Sequence, residues 1–265
     1  MNVPIFIRSY WKDAPWLEYC LRSLKKFASG FSEIVVVAPT RDQDTFFPIA
    51  ERYGCRLHQY IVNEDKPMIH GEILVCQADL ICPKADYIFF VDSDCAACQP
   101  FTVFDYFADG KPILVGRKFA RMKNSRSETE RCMYKQWLPA TEAALGFTPE
   151  YETNMRVPSI FRRETFAPFR AAVEKHVGKP FQEYAFSCRN EYPQTFIEFT
   201  PIGNYILRYT PELYYFADME ETSGPHNIQR YADSGEHLWN YKFKQYWSHG
   251  GLTPAIQKEL EAICA

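Results

Sequence analysis

The sequence lacks the long apolar runs and the excess of basic residues that mark two common classes of protein. No run approaches the ~18 apolar residues of a membrane-spanning helix, and the first residues, MNVPIFIRSYWKD, show no signal-peptide pattern. The net charge of −3 argues against a general nucleic-acid-binding protein, which is usually basic. We therefore expect a cytoplasmic protein with no membrane span.

Glycine is scarce, with 12 residues in 265, and neither of the common glycine-rich nucleotide loops is present. The absence of G-x-G-x-x-G and G-x-x-x-x-G-K-[ST] argues against the dinucleotide-binding and P-loop classes. The nine cysteines are scattered, and the single C-x-x-C, Cys95 to Cys98, has no second pair to complete a zinc site. Without a secretory signal, these cysteines are expected to be reduced thiols.

Apolar runs and helical patterns alternate over the first hundred residues. The predicted strands are 3–7, 33–39, 56–62 and 87–91, and the predicted helices run from Asp13 to Gly30, 44–54 and 70–82. These strands are continuous apolar runs, which is typical of a parallel sheet covered on both faces. The sequence therefore predicts a single α/β domain in which helices flank a Rossmann-like, mostly parallel sheet.

The second half of the chain gives fewer patterns. A strand is predicted at 111–118, a helix opening on a capping box of Ser127 and Glu130, and another helix at 164–177. Residues 193–209, PQTFIEFTPIGNYILRY, are aromatic and β-branched, which is typical of a strand, and we expect a turn at Gly203.

The stretch ADYIFFVDSDCAACQPF places two acids directly after a buried strand. Asp92 and Asp94, separated by Ser93, can form a turn, because Asp and Ser side chains bond to nearby backbone groups. They can also bind a cation. Ligands of open parallel sheets bind outside the carboxyl ends of the strands, where these acids are predicted to lie, and this favours the second interpretation.

The alternation of strands and helices that leads to Asp92-Ser93-Asp94 resembles the GT-A glycosyltransferases, which use a nucleotide-diphosphate sugar and a D-x-D motif. The resemblance covers the strand–helix alternation of the first half and the motif Asp92-Ser93-Asp94. The segments TFIEFTPIGNYILRY and QYWSHGGLTP also look like those of uncharacterised bacterial and phage glycosyltransferase-like proteins. This resemblance implies that the protein acts in a bacterial cell or in a phage-infected host cell.

The resemblance implies a divalent cation, Mn²⁺ or Mg²⁺, at Asp92 and Asp94. Such hard cations take oxygen ligands and offset the charge of the leaving diphosphate. Asp94 is the expected direct ligand, and Asp92 is expected to meet the ribose, or the metal through water. Because the family often adds a late histidine, His226 in the loop SGPHN is the expected third ligand, ahead of His237 and His249.

The resemblance also implies a set of contacts to the nucleotide sugar. Tyr10 is the expected stacking partner of the base. The expected nucleotide-sugar-binding residues are Arg8, Ser9, Tyr10, Gln77, Asp79, Asp92, Ser93 and Asp94. An inverting reaction needs a general base, and Glu198, within the apolar run TFIEF, is the candidate, with Glu183 and Glu191 in reserve. A strand residue facing water is the alternative interpretation of Glu198.

The donor and acceptor are expected to divide the chain, with residues 1–110 binding the nucleotide sugar, preferably a UDP-sugar, and 111–265 the acceptor. The acceptor is a glycan hydroxyl or, in a phage setting, a hydroxymethylated base in DNA. The residues expected to contact the acceptor are Arg117, Lys118, Arg121, Lys123, Arg126, Trp137, Trp239 and Trp247. The rival functions are a nucleotidyltransferase and a non-catalytic protein that binds carbohydrate or nucleotide.

Overall fold

A computed structural model describes residues 1–154, 158–189, 196–218, 229–231 and 242–265. The strands are β1 (Ile5–Arg8), β2 (Ala28–Ser29), β3 (Ile34–Pro39), β4 (Arg56–Tyr60), β5 (Tyr87–Phe90), β6 (Cys95–Ala97), β7 (Phe101–Thr102), β8 (Phe107–Ala108), β9 (Lys111–Lys118), β10 (Tyr151–Glu152), β11 (Ser159–Arg162), β12 (Tyr215–Asp218), β13 (Gln229–Tyr231) and β14 (Phe243–Gln245). The helices are α1 (Ala14–Phe27), α2 (Gln43–Tyr53), α3 (Pro67–Cys76), α4 (Ala78–Ile81), α5 (Phe119–Lys123), α6 (Glu128–Leu145), α7 (Phe166–Val177), α8 (Phe181–Ser187), α9 (Phe199–Tyr209) and α10 (Pro254–Cys264).

The central sheet has the strand order β11-β5-β1-β3-β4. Its last four strands are mutually parallel, and β11 pairs antiparallel with β5. Apolar residues of these strands and of the helices around them form one large buried cluster, which includes residues from both halves of the chain. The prediction of a single α/β domain with a mostly parallel, Rossmann-like sheet is confirmed.

Helices α1 and α2 match their predicted positions closely. Helix α2 ends at Gly54 and α7 at Gly178, and both glycines have the positive φ that closes a helix in the left-handed conformation. The predicted helix 70–82 is instead two helices, α3 and α4, which meet at Gln77. None of the helices in the described ranges is long and apolar enough to cross a membrane.

The strand predicted within residues 193–209 is wrong for the part that the structure describes. Residues 199–209 form α9, and Gly203 lies inside this helix rather than at a turn. A Cβ on Gly203 would stand 2.1 Å from Oγ1 of Thr153, whose hydroxyl donates to the carbonyl of Phe199. Gly203 therefore allows α9 to pack closely against the residue after β10, and this packing outweighs the β-propensity of the sequence.

Three smaller sheets complete the described structure. The first is the parallel pair of β2 and β7. In the second, β9 lies between β10 and β12, and β8 pairs with β9. In the third, β14 lies between β13 and β6. The antiparallel pairing of β14 with β6 sets Gln245 opposite Cys95. It brings a segment near the carboxyl end of the chain to the residues that directly follow Asp92-Ser93-Asp94.

Candidate functional site

The site lies at the carboxyl edge of the central sheet, where β1 and β5 end side by side. Phe6 is paired with Phe90, so Arg8 and Asp92 follow at the same level two residues later. The N–H of Val91 still donates to the carbonyl of Phe6, which keeps the two chains together up to the acids. The buried, parallel strands therefore deliver Arg8 and Asp92 to one place, as the sequence predicts.

The carboxylates of Asp92 and Asp94 converge on a single donor. The side-chain amide nitrogen of Gln245 donates to Oδ2 of Asp92 at 2.9 Å and to Oδ1 of Asp94 at 3.4 Å. The other oxygen of Asp94 accepts from the backbone N–H of Ser248 at 2.8 Å. The two acids are thus held by residues about 150 positions away in the chain, and this long-range contact is not what an isolated turn would make.

The segment that supplies Gln245 and Ser248 has an unusual backbone. Trp247, which lies between them, has φ of 57° and ψ of 84°, a left-handed conformation that a bulky residue rarely adopts. Its indole is 42% exposed. The N–H of Tyr246 also donates to the carbonyl of Asp94 at 3.0 Å. The turn at Trp247 directs the N–H of Ser248 toward Asp94, so the strained backbone of Trp247 is part of the structure that holds the acids.

Helix α10 anchors this segment to α1. Glu259 accepts from the hydroxyl of Tyr246 at 3.0 Å and is ion-paired with Lys244 at 2.5 Å. Further along α10, Glu261 accepts from the hydroxyl of Tyr19 at 2.7 Å and from both guanidinium ends of Arg22. The carboxyl-terminal helix therefore holds the Gln245–Ser248 contacts in place from outside the site.

Asp13 joins the cluster from the first β–α connection. It immediately precedes α1, which is the position of a helix cap, but its side chain makes no capping bond. Its Oδ2 accepts instead from the hydroxyl of Ser93 at 3.3 Å. Burial raises the pKa of Asp13, Asp94 adds to the rise, and a hydrogen bond from Ser248 and the nearby His249 oppose it. His249 is thus near enough to Asp13 for its charge to act on that carboxylate.

A second group of charges lies next to Asp92. Glu198, the residue before α9, is buried, and its Oε1 lies 3.6 Å from Nη2 of Arg8. Glu72, on α3, is also buried. Burial raises the pKa of Glu72 well above its usual value, Glu198 adds to the rise, and Arg8 opposes it. Glu198 is therefore a buried acid within the site, and the alternative of a strand residue facing water is wrong.

The loop after β1 brings two more of the expected residues to the same edge. Ser9 is buried, and Tyr10 is 36% exposed. Burial raises the pKa of the Tyr10 phenol, and the carboxylates of Asp13 and Asp94 add to the rise. Tyr10 is therefore an accessible ring beside the acids, a placement that suits the predicted stacking role.

Asp79, one of the expected nucleotide-sugar-binding residues, is engaged elsewhere. It lies on α4 and is buried against Arg170, which contacts both of its carboxylate oxygens, at 2.5 Å and 2.9 Å. Helix α4 lies near the amino end of β4, because Arg56, the first residue of that strand, donates to the carbonyl of Ile81. Asp79 therefore lies apart from the two aspartates. Gln77 directly precedes α4, and its role stays a prediction.

Several remaining candidates are placed apart from the acids or lie outside the described residues. Glu183 is exposed on α8, and Trp137 is buried beside Phe119 and Met122 rather than presented to a ligand. In the basic run, Arg117 is paired with Glu130, and Lys118 lies 3.8 Å from Asp218. The candidates outside the described residues are Glu191, His226, His237 and Trp239.

The pKa of Asp92 is raised to about 7. Burial is the main cause, and the carboxylates of Asp94 and Glu198 add to it, while Arg8 and the hydrogen bond from Gln245 act in the opposite direction. Two carboxylates this close cannot easily both be ionised. The site therefore has an excess of negative charge that a bound cation would relieve.

Without added metal, the protein is expected to lose thermal stability through Asp92 as the pH rises from about 4 to about 7. The folded protein holds a proton on Asp92 up to about pH 7, whereas the unfolded chain releases it near pH ~4, so unfolding becomes easier across this window. The measurement is the Tm in EDTA at pH 5, 6, 7 and 8, for wild type and Asp92→Asn. The variant should lose less Tm over this range than wild type, and equal losses would contradict the raised pKa.

The donor set at Asp92 and Asp94 fits a hard divalent cation. Mg²⁺ is usually held by one or two carboxylates, with water and substrate phosphates completing its shell, and Mn²⁺ also prefers oxygen ligands. Two carboxylate oxygens already converge on one partial positive charge, the amide of Gln245. Within the described ranges, no three side chains of His, Cys, Asp or Glu form a metal site by themselves.

No family model matches this chain, and no curated protein matches it. Among solved structures, the chain is similar to the crystal structure of a glycosyltransferase involved in the glycosylation of the major capsid of PBCV-1. The two share 12% sequence identity, the alignment covers 99% of this chain and 100% of that chain, and the TM-score is 0.46.

Proposed function

We propose that this protein is a metal-dependent glycosyltransferase that moves a sugar from a nucleotide diphosphate to an acceptor hydroxyl. The observation that carries the proposal is the convergence of Asp92 and Asp94 at the carboxyl edge of a parallel sheet. Ligands of such sheets bind at this edge. The excess of negative charge there supports a cation, and a cation between carboxylates supports a phosphate-bearing ligand.

In this proposal the donor nucleotide lies along the loop after β1. Tyr10 offers its exposed ring to the base, and the buried hydroxyl of Ser9 finds no hydrogen-bond partner among the described residues, which leaves it available to the ligand. Bound at Asp92 and Asp94, Mn²⁺ or Mg²⁺ would offset the charge that develops on the leaving diphosphate. His226 stays the predicted third ligand, and His249, one of the alternatives, gains support because its charge acts on Asp13.

Glu198 is the proposed general base of an inverting transfer. Its carboxylate takes the proton of the acceptor hydroxyl, and the acceptor oxygen forms a bond to the anomeric carbon. The bond from that carbon to the diphosphate oxygen breaks, and its electron pair leaves with the diphosphate. Arg8 lies at the end of β1, next to the end of β5, which Asp92 follows. From there it holds the carboxylate of Glu198 within reach of Asp92.

A glycan is the proposed acceptor in preference to modified DNA. Two of the five cations in the basic run, Arg117 and Lys118, already lie against acids of the protein. The net charge of −3 also favours a neutral acceptor. Binding to DNA would weaken steeply as salt is added. Activity on a neutral glycan that does not change with salt would support this choice.

The proposal predicts release of a nucleoside diphosphate from one class of nucleotide sugar. The experiment incubates the protein with UDP-, GDP- and CDP-sugars, with Mn²⁺, with Mg²⁺ and with EDTA, and identifies the products. We expect hydrolysis or transfer that EDTA abolishes and either cation restores. Binding without turnover in any metal would indicate the non-catalytic alternative. Release of pyrophosphate in place of a nucleoside diphosphate would indicate a nucleotidyltransferase.

A further inference from the structure

Beside the two aspartates, α3 contributes a polar group that the proposed reaction does not use. Glu72 is 7% exposed and lies near Arg8 and Glu198, because their charges are the two that act on it. In the described part of the chain, Oε2 of Glu72 and Nη1 of Arg8 are buried and find no hydrogen-bond partner. A buried polar atom without a partner is costly, so two in one cluster indicate that a ligand completes their hydrogen bonds.

Gly71 makes room for this arrangement. A Cβ on Gly71 would stand 2.9 Å from Cδ of Arg8 and 3.2 Å from its Nη1. The Arg8 side chain therefore lies directly against the backbone of α3, one residue before Glu72. A glycine inside a helix is destabilising relative to alanine. The contact gives a reason for a glycine at this helical position.

The two unpartnered atoms select the chemistry of the ligand. Nη1 of Arg8 can only donate, whereas a carboxyl oxygen of Glu72 accepts a hydrogen bond or, when protonated, donates one. A phosphate would be repelled by the carboxylate of Glu198, and a cation would be repelled by the guanidinium of Arg8. A hydroxyl group is neutral and both donates and accepts, so a polyol such as a sugar ring fits both atoms.

We propose that Glu72 and Arg8 bind hydroxyl groups of the transferred sugar, which makes Glu72 a residue that determines donor-sugar specificity. This inference rests on the proposed function, because it places the sugar beside the diphosphate bound at Asp92 and Asp94. The high pKa of Glu72 fits a neutral carboxyl group, which can bond to a hydroxyl in either direction. The nucleotide itself has no contact with Glu72 in this arrangement.

The test compares nucleotide sugars with the matching nucleotides by calorimetry in Mn²⁺. The probes are UDP-glucose, UDP-galactose and UDP-N-acetylglucosamine against UDP, and GDP-mannose against GDP. In Glu72→Met, which removes both oxygens at similar volume, we expect the sugar nucleotide that wild type prefers to bind ~10–100-fold more weakly. The nucleotide alone should keep its affinity within about threefold. Glu72→Gln, which keeps a donor and an acceptor, should restore most of the lost affinity.

A second variant tests the partner atom without touching Glu72. Gly71→Ala should displace Arg8, because its Cβ would stand 2.9 Å from Cδ of Arg8, and should weaken sugar-nucleotide binding in the same selective way. Glu51→Met, at an exposed position of α2, is the control and should change neither affinity.

The possible results separate this inference from the proposed function. If Glu72→Met binds the sugar nucleotide as wild type does, or loses affinity for the nucleotide to the same extent, the inference is wrong while the proposed function stands. It is equally wrong if the sugar adds no affinity in wild type. If wild type binds neither nucleotides nor sugar nucleotides in Mn²⁺, the proposed function fails, and the inference fails with it.

Discussion

Glu198→Gln is expected to lower sugar transfer by about 10²–10⁴-fold, which is the usual contribution of a general base. Glutamine has the same shape and can still accept a hydrogen bond from Arg8, but it cannot take the proton of the acceptor hydroxyl. Donor binding in Mn²⁺ and the Tm should therefore stay close to their wild-type values. The measurement is the initial rate of transfer by the purified variant, together with its affinity for the donor.

Glu183→Gln is the matched control, because it makes the same change at an exposed residue of α8. Transfer at the wild-type rate by Glu198→Gln would remove Glu198 from the mechanism. If Glu183→Gln or Glu191→Gln lost activity in its place, the base would be reassigned to that residue. A retaining reaction, which needs no such base, would also leave Glu198→Gln active.

Asp94→Asn is expected to keep the fold and to weaken Mn²⁺-dependent nucleotide binding by at least ~10²-fold, with turnover lost in parallel. Changing a residue that only supports a metal ligand already lowers metal affinity or activity ~10–100-fold, so the loss of a direct ligand is expected to have a larger effect. Asparagine can still accept the bond from the Ser248 N–H and form the same turn, but it lacks the negative charge. Asp92→Asn should act in the same direction and less severely.

Asp44→Asn, an exposed acid of α2, is the control for the change of charge and should bind like wild type. The same Mn²⁺ titration on His249→Ala and His226→Ala assigns the third ligand. Only removal of the histidine that binds the metal should lower the affinity for Mn²⁺. Nucleotide binding by Asp94→Asn that is unchanged and independent of metal would leave a turn as the better explanation of the two aspartates.

The sheet and the position of Asp92 and Asp94 could be predicted because both depend on local patterns. Continuous apolar runs separated by helical periodicity define the parallel strands, and the end of β5 is also the end of its apolar run. The register of β1 against β5 then follows from burying both strands side by side, and it places Arg8 beside Asp92.

The residues that hold the two aspartates could not be predicted from local patterns. Gln245 and Ser248 reach the site through the pairing of β14 with β6 and through the left-handed turn at Trp247. Both are contacts across about 150 residues, for which a single sequence has no periodic signal. Asp13 had the position of a helix cap, and its bond to Ser93 exists only once β1 and β5 are adjacent.

Glu72 did leave a signal in the sequence. It is the single acid in the apolar stretch of α3, IHGEILVC, and it directly follows a glycine. A lone acid in a helix that is buried along most of its length is either paired or functional. By contrast, the helix α9 could not be distinguished from a strand, because its aromatic and β-branched residues favour strands and its packing, including the close approach of Gly203 to Thr153, has no local signal.

Calorimetry of UDP, GDP and CDP binding to the wild-type protein, with Mn²⁺ and then with EDTA, tests most directly whether Asp92 and Asp94 form a metal–diphosphate site. We expect that one of the three nucleotides binds in Mn²⁺, that EDTA abolishes this binding, and that its affinity rises between pH 6 and pH 8 as Asp92 loses its proton. Binding of equal strength in Mn²⁺ and in EDTA, or no binding of any of the three nucleotides under any condition, would contradict the proposed site.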